Sequence, residues 1–125
     1  EFYDIGKLGI PEDLLSLPRS LGDGERRFID EHARFGAELF AACGAKAAIA
    51  EVVRAHHAFH ETSTMPLVTA ILGACDALAA MVSQRPYAEA RPVGQALAEL
   101  RAERRHQFHP DVVDILHDID IRSAA

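Results

Sequence analysis

The chain has 125 residues, enough for a single domain's core, with 49% apolar residues, only 6% aromatic residues and no Trp. A formal net charge of −6 argues against non-specific binding to polymeric nucleic acid or anionic lipid, because no basic surplus exists to release counterions. No apolar run approaches the ~20 residues of a membrane span, no signal-peptide pattern opens the chain, and two cysteines without a CxxC pair point to a reducing cytoplasm.

The first residues, Glu1-Phe2-Tyr3-Asp4-Ile5-Gly6-Lys7, read as the end of a helix followed by a turn. Nothing precedes them to pack against. The expectation is a domain lacking upstream helices, with Glu1-Phe2 open to being a cloning scar, and with uncovered apolar faces that favour a homo-oligomer. Pro11 opens a short helix that Pro18 ends. From Asp23 to Cys43 the residues Phe28, Ile29, His32, Phe35, Gly36, Leu39, Phe40 and Cys43 keep helical spacing, and Gly44 supplies a stop. A helix over about Lys46 to Phe59 aligns Ile49, Val52 and Val53 with His56 and His57 one turn later. Another begins near Pro66 and carries Ile71, Leu72, Cys75 and Ala79, with Asp76 one turn beyond Leu72, until Gln84-Arg85-Pro86-Tyr87 breaks it. Pro92 and Pro110 open the last two. No segment alternates with a strand's period, so the fold class is all-α, a helical bundle of five to seven helices. Cys43 and Cys75 sit among alanines and other apolar residues, where buried thiols are common. The basic cluster Arg101, Arg104, Arg105 and His106 reads as a solvated helix face.

Four of these helix positions carry chemistry. Apolar stripes normally bury hydrocarbon, so His32, His56, His57 and Asp76 on or beside them must be paired or must bind something. One buried histidine is ordinarily a core residue satisfied by a carbonyl. Three, with a carboxylate, favour a site for Fe, Mn or Zn assembled from several helices. Asp4 near the start is a further candidate.

The order of residues adds a resemblance that periodicity does not supply. Asp4-Ile-Gly-Lys7-Leu-Gly-Ile-Pro11, Glu31-His32-Ala-Arg-Phe-Gly36, His56-His57, Ala74-Cys75-Asp76, Arg85-Pro86-Tyr87 and Gln107-Phe108-His109-Pro110-Asp111-Val112-Val113 follow one another as landmarks of the HD-GYP domain do. The chain resembles this branch of the HD phosphohydrolase superfamily, which hydrolyses cyclic di-GMP in bacterial signalling, from Asp4 to about Leu116. The resemblance implies an HD-domain-like fold. It makes Asp4 the aspartate of the HD pair, bridging two metals, His32, His56 and His57 the histidines of one metal's shell, and Asp76 a ligand of the other. Lys7 becomes the lysine that contacts substrate phosphate.

Two departures qualify what it implies. Tyr3 stands where the family has the histidine of its HD pair, and a neutral phenol binds these metals weakly. After His57 the acidic residue and the Gly-Tyr-Pro loop are replaced by Ala58-Phe-His60-Glu61-Thr-Ser-Thr-Met-Pro66. His60 and Glu61 are read as part of a solvated loop, with replacement ligands as the alternative. The expectation is a degenerate regulatory domain of a cyclic-di-GMP signalling protein. It keeps one divalent ion and works through nucleotide or signalling-partner binding. The alternative is an active metal-dependent phosphodiesterase, and a plain helical structural domain is the third reading.

Overall fold

In the computed structural model, which describes residues 2–62, 64–84 and 89–123, the described residues are all-α, with no strand beyond an isolated bridge between Arg104 and Phe108. The chain forms two compact units, residues 1–57 and 58–125.

The first unit opens with a 3-10 segment, Phe2–Gly9, followed by α1 (Glu12–Leu15), α2 (Asp23–Asp30), α3 (His32–Ala42) and α4 (Ala47–Ala55). Pro11 precedes α1, as its fixed φ allows. At the start of α2 the Glu25 carboxylate accepts the Gly22 N–H at 2.8 Å and both terminal nitrogens of Arg19 at 2.8 and 2.7 Å. These bonds hold its acid well below the usual carboxylate range, at about 2.

The single helix expected over Asp23 to Cys43 is instead two, parted at Glu31. A local contact accompanies the break. His32 Nδ1 lies 2.6 Å from the Ile29 carbonyl, the group an uninterrupted helix would offer to the Ala33 N–H. Downstream, Gly44 at φ +78° ends α3, with its N–H donated to the Ala41 carbonyl and that of Ala45 to Phe40.

The 3-10 segment and α4 both pack on α3. Ala37, Ala50 and Val53 form the buried centre, flanked by Tyr3 and Phe40. Small residues permit the close approach. A Cβ on Gly6 would meet the His32 carbonyl and the Gly36 nitrogen, both backbone atoms, and a Cβ on Gly36 would meet Val53 Cγ1 at 3.1 Å. Gly6, placed in a turn by the sequence reading, is therefore a contact glycine that seats the Asp4 segment on α3.

The second unit holds a 3-10 turn (His60–Thr62), α5 (Leu67–Val82), α6 (Val93–Ala102) and α7 (Pro110–Ser123). Pro66, Pro92 and Pro110 open the three helices where the sequence placed them. Ala70, Ala74, Leu97, Leu100, Phe108, Val112 and Val113 make its core. Fully burying Leu100 and Val113 stabilises the unit by about 1.5–3 kcal/mol each. Between α6 and α7 the chain reverses through Arg105 at φ +73°, and the Glu103 carbonyl accepts the N–H groups of His106, Gln107 and Phe108. The basic cluster is consequently not one helix face: only Arg101 lies in α6, and Arg104 is paired with Asp114 at 3.0 Å.

Further expectations change in the structure. Cys43 and Cys75 are both exposed: Cys43 lies just past the end of α3, and Cys75 lies on the exposed side of α5 with Ile71 and Ala79. The segment at His60–Glu61, where Glu61 is exposed as a solvated loop implies, is also anchored: the two N–H groups donate to the Gln107 and His106 carbonyls, and His106 Nε2 meets Glu61 Oε1 at 3.0 Å. The break expected at Gln84-Arg85-Pro86-Tyr87, and the Arg85-Pro86-Tyr87 landmark, lie from residue 85 onward outside the described residues. None of the helices among the described residues is long and apolar enough to cross a membrane.

Candidate metal centre

Three histidines converge in the first unit. His32 opens α3, while His56 and His57 follow the last residue of α4. The helix expected to run to Phe59 stops at Ala55, and His56 Nδ1 contacts the Val53 carbonyl at 2.6 Å. His32 does the same with Ile29, three residues before it. A ring nitrogen that close to a carbonyl oxygen is an N–H donor, so in the neutral imidazoles Nε2 of each ring carries a lone pair. Those two Nε2 atoms face each other 3.3 Å apart.

Asp4 adds a third acceptor. Its Oδ1 stands 3.2 Å from His32 Nε2 and 2.8 Å from Lys7 Nζ. Both are ion-pair distances, yet neither approach has the direction of a hydrogen bond, and Oδ1 is a buried oxygen without a well-aligned donor. Burial raises the acid's pKa, but a proton on His32 Nε2 and the Lys7 ammonium outweigh it and hold Asp4 well below the ordinary value. His32 Nε2 thus has the His56 Nε2 at 3.3 Å and the Asp4 carboxylate at 3.2 Å, an arrangement that is stable only with a proton or a cation there.

A divalent ion fits this arrangement. One ligand atom from each of His32, His56 and His57 lies within 4.8 Å of the others. Nitrogens bound to one ion at about 2.0–2.1 Å in a tetrahedral arrangement stand about 3.3 Å apart, which the His32 and His56 pair matches. The Nδ1 bonds to Ile29 and Val53 carbonyls are the outer contacts that fix the tautomer of metal-binding histidines.

Not every expected ligand is placed alike. His32 and His56 are buried, at 1% and 3% exposure, whereas His57 is exposed rather than inward-facing. Successive residues leaving a helix end diverge by about 100°, so the pair cannot bury both rings on one side. The His56 and His57 rings still lie close, 3.9 Å between centroids and tilted by 43°. Tyr3 meets His56 edge-on at 5.3 Å and packs against the Ala37, Ala50 and Val53 centre. Asp76 lies in α5 of the second unit, partly buried, and the histidine site is described without it. His60 and Glu61 likewise belong to the second unit, where Glu61 pairs with His106. The sequence pattern does not reveal the contact role of Gly6 and Gly36, which seat Asp4 against α3, nor the carbonyls of Ile29 and Val53. Backbone acceptors leave no residue signature, although both histidines follow a branched apolar residue by three positions.

In an all-α chain, three histidines brought together in this way could hold a metal ion. The family model described as HD domain matches residues 1–112. The chain belongs to the HD domain family. Among curated proteins it is 33% identical over 130 residues to the cyclic di-GMP phosphodiesterase response regulator RpfG of Xanthomonas campestris, covering 91% of this chain and 33% of that protein. It is 28% identical to a cyclic di-GMP phosphodiesterase of Thermotoga maritima, covering 90% of this chain and 33% of that one. It is 27% identical to the 3'3'-cGAMP-specific phosphodiesterase 3 of Vibrio cholerae, with 87% and 26% covered. The chain thus spans about a third or less of the length of these relatives.

Proposed function

We propose that this chain is a degenerate HD-GYP-like output or regulatory domain of a bacterial cyclic-di-GMP signalling protein, holding one divalent ion (Fe, Mn or Zn) and impaired in catalysis. The observation that carries the reading is the cluster of His32, His56 and His57, with Asp4 Oδ1 3.2 Å from His32 Nε2 and the Nδ1 atoms of His32 and His56 committed to carbonyls. Asp4, His32, His56 and His57 are the residues that hold the ion. Lewis-acid polarisation of a phosphodiester is the chemistry a divalent ion supplies when bound. Lys7, beside Asp4, offers an ammonium to a phosphate oxygen. The relatives' printed activities favour cyclic di-GMP or a related cyclic dinucleotide as the ligand.

Impairment rests on uneven survival of the parts. Asp76 remains, on the resemblance, a ligand for a second ion, but Tyr3 stands where that position had a histidine. The Gly-Tyr-Pro loop is replaced by a segment anchored to His106 and Gln107. Losing an ion clamp and a substrate-shaping loop removes two separate contributions to the transition state, and their effects multiply. The domain then works through nucleotide or protein-partner binding and self-association, which the exposed Phe28, Phe35 and Leu39 of α2 and α3 favour. Light scattering tests the last point, and a monodisperse monomer at high concentration counts against it.

The alternative, an active metal-dependent phosphodiesterase, is favoured by the retained donor set with Lys7 beside it. Incubating the protein with cyclic di-GMP and excess Mn or Fe, followed by chromatography, separates the two. The regulatory reading expects turnover undetectable or orders of magnitude below that of an intact relative. Efficient release of linear dinucleotide or GMP, abolished by Asp4→Ala, overturns it.

A further inference from the structure

Lys7 and the proposed ion want the same oxygen. In a 3-10 segment residues three apart eclipse one another, and the Phe2–Gly9 segment accordingly stacks Lys7 over Asp4. The ammonium approaches Oδ1 at 2.8 Å, the oxygen that also faces His32 Nε2. The other side of the pair is open: Phe2, Asp4, Ile5, Lys7 and Leu8 line a cavity of about 440 Å³, and the Lys7 side chain is 39% exposed.

We propose that Lys7 is a built-in competitor for the metal, its ammonium and the ion contending for Asp4 Oδ1, so that loading the ion releases Lys7 into the adjoining cavity. This rests on the metal reading above and adds a coupling to it. A cation at His32 Nε2 that takes the Oδ1 lone pair repels the ammonium, which lies 2.8 Å from that same oxygen. The freed ammonium then stands at the edge of the site, available to an anionic phosphate ester only after the ion has arrived. By linkage, anything that draws Lys7 away from Asp4 tightens the ion, and the ion in turn favours whatever draws Lys7 away. Lys7 is here a gating residue for metal affinity, a role distinct from contacting phosphate.

Mn affinity of the whole chain, measured by competition with a fluorescent chelator, tests this in wild type, Lys7→Met, Lys7→Arg and His56→Ala. Lys7→Met keeps the apolar stem and removes the charge. It is expected to bind Mn about tenfold more tightly, a ratio worth about 1.4 kcal/mol, while Lys7→Arg stays near wild type. Labelling of Lys7 by an amine-acylating reagent, read by mass spectrometry, is expected to rise when Mn is added to wild type. If wild type binds Mn and His56→Ala does not, the metal reading stands. Unchanged or weaker binding by Lys7→Met, or labelling of Lys7 that ignores Mn, then overturns the competition alone. If neither wild type nor Lys7→Met binds Mn, both fall together.

Discussion

Replacing Gly6 by alanine probes how the Asp4 segment is held on α3. The added Cβ collides with the His32 carbonyl and the Gly36 nitrogen, backbone atoms that no rotamer change can move. The 3-10 segment has to lift, and Asp4 leaves His32 with it. Overpacking of this kind costs ~1–3 kcal/mol or more. For a chain of this length that amounts to a melting temperature lowered by roughly 3–15 °C. Two glycines calibrate the effect. Gly36→Ala meets Val53 Cγ1 at 3.1 Å and the Gly6 nitrogen at 3.3 Å, contacts that a shift of a few tenths of an ångström relieves, and should cost less. Gly9→Ala has nothing within 4 Å of its Cβ and should be neutral or stabilising by a few tenths of a kcal/mol. Thermal unfolding followed by circular dichroism, with chelator present, orders the three. Gly6→Ala melting with Gly9→Ala would refute the close-packing argument and the placement of Asp4 built on it.

Two further outcomes concern parts away from the metal centre. Glu25 has a folded-state pKa of about 2, below its ordinary value, so the stability it contributes is present above pH ~4.5 and is lost as pH falls toward 2; carboxyl-detected NMR should show it titrating last among the exposed glutamates, and Glu25→Gln should flatten the acid limb. Arg105 holds φ +73°, a conformation that costs a non-glycine residue about 1 kcal/mol, so Arg105→Gly should leave stability equal or higher in chemical denaturation; a loss above ~1 kcal/mol would mean its side chain matters more than its backbone.

Much of the helix layout was legible because prolines and Gly44 act locally. Pro66, Pro92 and Pro110 open their helices by fixed φ and a missing donor, whatever packs around them. The break at Glu31 was not legible, since the apolar spacing continues through it and so do the bonds from Glu31 to Arg27 and from Phe35 to Glu31. Cys43 and Cys75 were misplaced for a related reason. Periodicity shows that residues share a face and leaves open how wide a strip the neighbouring helix covers. At the site, the histidines stood out because polar groups interrupt an apolar pattern, and the family order supplied Asp4 and Lys7. The outward turn of His57 and the contact role of Gly6 depend on where α4 stops and how closely the first segment lies on α3.

The central claim is that His32, His56 and Asp4 converge on one divalent ion. Metal stoichiometry by inductively coupled plasma mass spectrometry, after loading with Fe, Mn or Zn and removal of excess, tests it most directly in wild type and His56→Ala. One tightly held equivalent in wild type, lost in His56→Ala while the helical circular dichroism spectrum is kept, is the predicted result. Equal stoichiometry in the two proteins, or a wild type that retains no ion from any of the three metals, would contradict it.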